Sequence, residues 1–128
     1  MASVEERCRY AQAFHQRHGR IILTMSPPNP SFGRPVEVSG IGLPPGEYSL
    51  LLASPILNAG SIEIAIPTVA ADGKLSVAFA MPAYTLSEYD PATQSWGATG
   101  PRCAVIVAWN RVEPPDSRSY MTVPFVIP

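Results

Sequence analysis

Between residues 34 and 81 the chain alternates apolar and polar positions in short runs, and Gly or Pro interrupts each run after a few residues. That period of two, punctuated by turn formers, is the pattern of short antiparallel strands. Val36 and Val38 face one way while Glu37 and Ser39 face the other, which predicts a half-buried strand over 34–39. Pro44, Pro45 and Gly46 close a tight turn. Residues 47–53 are more continuously apolar, as expected of a central strand. Ile62, Ile64 and Ile66 alternate with Glu63 and Ala65, and Leu75, Val77, Phe79 and Met81 form the next inward stripe. Between these two runs, Asp72-Gly73 predicts a hairpin, because the pair tolerates the positive φ that hairpin turns demand.

The flanks extend the pattern. Residues 20–26 are rich in β-branched side chains and read as a first strand, after which Pro27, Pro28 and Pro30 forbid ladder pairing and force an extended crossing. A strongly apolar strand is predicted over 102–110, and a last one over 118–127 with Met121, Val123, Phe125 and Ile127 on one side. About seven strands at this turn spacing predict an all-β fold, an antiparallel β-sandwich. It carries a short N-terminal helix or arm. Residues 1–26 are assigned to the helix and first strand, and 27–128 to the sandwich.

The helix is predicted over 3–18. Ser3 is a good N-cap, Glu6 three residues later completes a capping box, and Gly19 can stop the helix. Val4, Cys8, Ala11 and His15 recur at helical spacing with Phe14 beside them. A helix this short is marginal in water, so it must dock, either on its own sandwich or on a neighbouring subunit. Two other segments break the alternation. Residues 54–61 carry Ile56 and Leu57, which would be sticky if exposed. Residues 82–101 lack a regular pattern, carry Tyr84, Tyr89 and Trp96, and read as a long functional loop.

Composition narrows the function classes. The 128 residues suffice for one domain with a real core. A net charge of −1 gives no electrostatic case for nucleic acid or an anionic membrane. No apolar run approaches the roughly 18 residues needed to span a bilayer. The opening MASVEERCRYAQAF has early acids and no apolar segment, so a secretory leader is not expected. Cys8 and Cys103 lie far apart, and free thiols in a reducing cytosol are expected, a disulfide being the alternative.

Several motifs together resemble a bacterial Ig-like domain over about residues 27–128. The run through Val36, Val38, Gly40, Gly42, Pro44, Pro45 and Gly46 matches that group's strand and Gly-Pro-Gly turn. Asp72, Gly73, Phe79 and Pro82 match its "ADG" hairpin and the following strand that ends in Pro, Gly100 and Pro101 match its G-P-x-x-x-V run, and Pro124, Phe125 and Val126 its closing strand. The resemblance implies an Ig-like sandwich and assigns no site. Members are typically secreted and tandem. A single module without a leader is similar instead to the Ig-like accessory proteins that decorate the capsids or tails of phage virions.

No constellation of catalytic residues emerges. His15 and His18 are the only histidines, and a third metal ligand is not evident. With no histidine among the strands, a nucleophilic triad is not expected. Glu88 and Asp90 beside the loop aromatics superficially resemble a sugar or Ca²⁺ site, but solvated loop chemistry is the commoner outcome. The expectation is therefore a non-enzymatic structural protein with no cofactor and no metal. It would be a virion component, a capsid decoration or tail accessory assembled in the host cytoplasm. Its partners would be other structural subunits and further copies of itself, with neither nucleic acid nor membrane involved. The alternative is a cell-surface or secreted Ig-like adhesion or carbohydrate-binding module. The residues expected to bind partners are Val4, Cys8, Ala11 and Phe14 on the helix, Ile56 and Leu57, and Tyr84, Tyr89 and Trp96.

Overall fold

The computed structural model describes residues 3–55, 61–82, 88–90, 95–97, 102–111 and 119–127, with 88–90 and 95–97 described in backbone only. A helix, α1 (Val4–Arg17), precedes the strands β1 (Thr24–Ser26), β2 (Pro35–Gly40) and β3 (Gly46–Ala53). There follow β4 (Ile62–Ala65), β5 (Thr68–Val69), β6 (Leu75–Ala80), β7 (Glu88–Asp90) and β8 (Ser95–Gly97). The long strand β9 (Arg102–Asn110) and the short β10 (Ser119–Met121) and β11 (Phe125–Ile127) complete the order.

Two antiparallel sheets form the body. One has the order β1-β2-β6; the other runs β10-β9-β3-β4, with β11 also on β9 and β5 also on β3. The central place expected for 47–53 is observed, since β3 pairs with β9, β4 and β5. Val36, Val38 and Leu75 from the first sheet join Leu50, Leu52, Ala104, Ile106, Phe125 and Ile127 from the second in one buried cluster. The alternation of β2 and β6 is the physical origin of this layer, because every second residue faces the opposite sheet. Tyr48 sits fully inside it and donates its hydroxyl to the Pro44 carbonyl at 2.6 Å, tying the strand to the turn before it.

Four sequence expectations change. Asp72-Gly73 does make a tight turn: Gly73 has φ 73°, and its N–H bonds Ala70 O at 3.0 Å. The strands it joins are not a hairpin, however, because β5 pairs with β3 while β6 pairs with β2 in the other sheet. The turn carries the chain across the sandwich. The last strand is also not continuous. Met121 pairs with Val107 but Phe125 pairs with Ala104, so one extra residue sits between the two pairings. A one-residue slip reverses the facing of every side chain beyond it. Phe125 and Ile127 enter the core, and Val123 is left exposed. The first strand shrinks to β1, which pairs with β2 and so belongs to the sandwich; Ile21 instead bridges Met121 in parallel. Finally, the long segment 82–101 contains a two-stranded ladder, β7 on β8, whose register sets Tyr89 opposite Trp96.

The helix follows its sequence signals closely. Glu6 N–H donates to Ser3 Oγ at 3.1 Å, and Gly19, at φ 66°, ends the helix as its N–H bonds Gln16 O. The acids Glu5 and Glu6 stand in the first turn and Arg17 in the last, the arrangement that complements the helix dipole. The helix makes a third layer. On β9, Ala104, Ile106 and Ala108 face the other sheet, while Cys103 and Val105 are buried on the outer face where α1 lies. Cys8 and Cys103 are joined in a disulfide with Cα atoms 5.5 Å apart, which corrects the expectation of free thiols.

Candidate interaction surface

The disulfide decides which side of α1 remains available. Cys8, Ala11 and His15 form the buried stripe, held against the chain's own sheet rather than a neighbour. His15 Nε2 shares a hydrogen bond of 2.9 Å with Pro55 O, which anchors the stripe beyond the end of β3. Val4 is half-buried. Phe14 flanks this stripe at 40% exposure, and Tyr10, farther round the helix, is 69% exposed. Phe14 packs edge-on to the His15 ring at 5.1 Å and against the His18 ring at 4.5 Å, so its face is held in one orientation. Two aromatic side chains one helical turn apart thus stand outward from a helix that a covalent bond holds in place.

Of the expected partner-binding residues, Cys8 and Ala11 serve internal docking and Phe14 is presented outward. Ile56, Leu57 and Tyr84 lie outside the described residues, as do the side chains of Tyr89 and Trp96. Tyr10 and Trp109 are also exposed and are not among the expected residues. Tyr10 carries a readable signal, since it stands four residues before Phe14 on the same helical face. Trp109 lies within the near-continuous apolar run of β9, where alternation is silent about facing. Its register shows the facing. It is opposite Ser49 on β3 and Ser119 on β10, on the outer sheet surface, and is partly exposed.

A polar apron surrounds that tryptophan. Arg111 donates from Nη1 to Ser49 Oγ at 3.1 Å and pairs with Glu47 at 3.0 Å and Glu63 at 3.7 Å. Arg20 donates to Ser119 Oγ at 3.2 Å. These are part-exposed pairs, so each adds little stability and their effect is to order the surface. A separate apolar groove of about 230 Å³ runs between β1 and the break before β11, lined by Leu23, Met25, Pro28, Val123 and Pro124 among others.

Among the described residues no group of three His, Cys, Asp or Glu side chains is placed to hold a metal ion. The two histidines are used apart, His15 facing Pro55 and His18 tilted against Phe14. No helix among the described residues is long and apolar enough to cross a membrane. No family model, curated protein or solved structure matches the chain.

Proposed function

We propose that this chain is a non-enzymatic structural module that binds neighbouring protein subunits through the outward face of α1. The observation that carries the reading is the Cys8–Cys103 bond, which fixes α1 on the outer sheet face and holds Tyr10 and Phe14 clear of it. A pre-ordered aromatic pair suits a protein contact, because large rings bury area at low entropic cost. Disulfides persist on secreted proteins, cell surfaces and virions, and thiols stay reduced in the cytosol. The working place of the module is therefore the outside of a particle or cell. The Ig-like relationship belongs to this proposal and is supported by the turn and strand motifs and by a two-sheet sandwich.

The disulfide favours a second reading, a cell-surface or secreted adhesion module, over assembly inside a reducing host cytoplasm. One experiment addresses both readings. Virions and cell envelopes from the native source are alkylated without reductant and then probed for this chain. Recovery on virions with both cysteines protected supports the structural virion subunit, and recovery on envelopes supports the adhesion module. A chain that light scattering shows to be a monomer, that sediments with neither, and whose thiols alkylate freely overturns the proposal.

A further inference from the structure

The outermost strand of a sheet offers unpaired N–H and C=O groups to any strand that can approach it. Folds blunt such edges with short strands, charges, prolines and bulges. Among the described residues, every edge strand but β6 has at most four residues. β1 is followed directly by Pro27, and Pro124 stands directly before β11. β4 carries Glu63 and shifts register against β3 between Leu50 and Leu51. β6 has none of these devices. Its six residues pair with β2 in unbroken register and include neither a charge nor a proline. It ends its sheet, and no described strand pairs with its other side.

The direction of the free groups follows from the ladder. Met81 N–H donates to Arg34 O and Met81 O accepts from Gly33 N–H, so odd-numbered positions aim their backbone at β2. Ser76, Ala78 and Ala80 therefore aim theirs at the open edge, and their exposed side chains are small. Leu75, Val77 and Phe79 face inward, the last two half-buried against the core. We propose that this edge pairs with the β6 edge of a second copy, antiparallel across a twofold axis. The two three-stranded sheets then become one sheet of six. Charge, register and size all fit this occupant. An uncharged edge meets no like charge in its own copy, and Lys74 and Pro82 bound the stretch available for pairing. In full overlap Ala78 falls opposite Ala78, and Ser76 opposite Ala80, which matches both the facing and the free backbone groups. Val77 then meets Phe79 of the second copy, a β-branched side chain beside an aromatic one. Three hydrogen-bonded pairs supply about six main-chain bonds, within the roughly 5–15 of a standard interface. This contact is separate from the exposed aromatics of α1.

Amide hydrogen exchange of the intact, oxidised chain, read by NMR over a concentration series, reports on the edge directly. The amides of Ser76, Ala78 and Ala80 should slow as the protein is concentrated. Over the same range, ultracentrifugation should show the mass rising from 13.8 kDa towards twice that value. Ala78→Lys and Ala78→Asp each set like charges opposite one another and should stay monomeric. Their equimolar mixture sets Lys opposite Asp and should recover the dimer. The side chain at 78 is exposed, so neither variant disturbs the core; should one fail to fold, the wild-type amides decide. Amides already slow in the dilute monomer overturn the proposal, because the chain then covers its own edge. Amides that exchange fast at every concentration overturn it too. So does a mixture that stays monomeric, since the axis then does not pass through residue 78. A dimer that survives both charged variants also overturns it, and its loss in Tyr10→Ser, Phe14→Ser would assign that contact to α1.

Discussion

Cys8 and Cys103 have Cα atoms 5.5 Å apart although 95 residues separate them in the chain. The bond joins the second turn of α1 to the strand that pairs with β3, β10 and β11, so it ties the most local element to the least local one. Closing so long a loop removes much of the freedom of the unfolded chain, with a typical effect of about 2–4 kcal/mol. Cys103→Ala, or reduction of the wild type, is expected to lower the unfolding free energy read from urea denaturation by that amount. Far-ultraviolet circular dichroism at mild denaturant should show the helical signal falling before the strand signal. Coincident loss of both would mean that α1 docks by burial of Ala11 and His15 alone.

In the break before β11, Pro124 has no N–H for the ladder and Thr122 supplies the bonds that remain. Thr122 donates its N–H to Ile106 O at 3.0 Å, and its Oγ1 accepts from Ile106 N–H at 3.1 Å. The hydroxyl thus takes the place of a ladder carbonyl where the extra residue interrupts pairing. Thr122→Val keeps the shape but leaves a buried amide without an acceptor, at a cost of about 1–3 kcal/mol. Thr122→Ser should recover most of it. Denaturation midpoints for the pair check this, and equal losses in both variants would show that the methyl group matters and the hydroxyl does not.

Glycine at the crossover turn is required twice over. Gly73 has φ 73°, and a Cβ there would stand 3.2 Å from the backbone oxygen of Leu43, whose N–H already donates to Gly73 O. Gly33 has a similar φ of 77° with nothing near the position of a Cβ. Gly33→Ala should therefore cost only the left-handed backbone penalty of about 1 kcal/mol. Gly73→Ala adds the steric conflict and should cost about 2–3 kcal/mol. Thermal unfolding of the two variants side by side isolates the contact.

Much of this architecture was legible because it is written in alternation. Val36 and Val38 against Glu37, and Leu75 through Met81, declare their facing in the sequence, and the helix declares its start at Ser3 and its stop at Gly19. Three features escaped for distinct physical reasons. The Asp72-Gly73 turn is local, but which sheets it joins depends on non-local pairing. The slip at Val123 depends on Thr122 meeting Ile106; Pro124 marks a break in the run but not which way the register shifts. The disulfide could not be read because two cysteines so far apart in the chain carry no geometric information until β9 is placed under α1. The candidate surface shows the same division: Phe14 was legible from helical spacing, whereas Trp109 needed the register of three strands.

The exposed aromatics of α1 separate folding from function. Tyr10 and Phe14 are exposed, and among the described residues the ring contacts of Phe14 are with His15 of α1 and His18 at its C-cap. Replacing both with Ser should change the unfolding free energy read from urea denaturation by no more than about 1 kcal/mol, the range for surface positions with few contacts. Ala11→Leu, by contrast, forces extra volume between α1 and β9 and should cost about 1–3 kcal/mol while leaving the outward face intact. Association, read by co-sedimentation with the native particle or envelope, should fail in the Tyr10→Ser, Phe14→Ser double variant. It should persist in Ala11→Leu at temperatures where that variant is folded. If the double variant associates as well as wild type, the contact lies elsewhere, and the partly exposed Trp109 with its Ser49 and Ser119 neighbours becomes the surface to replace next.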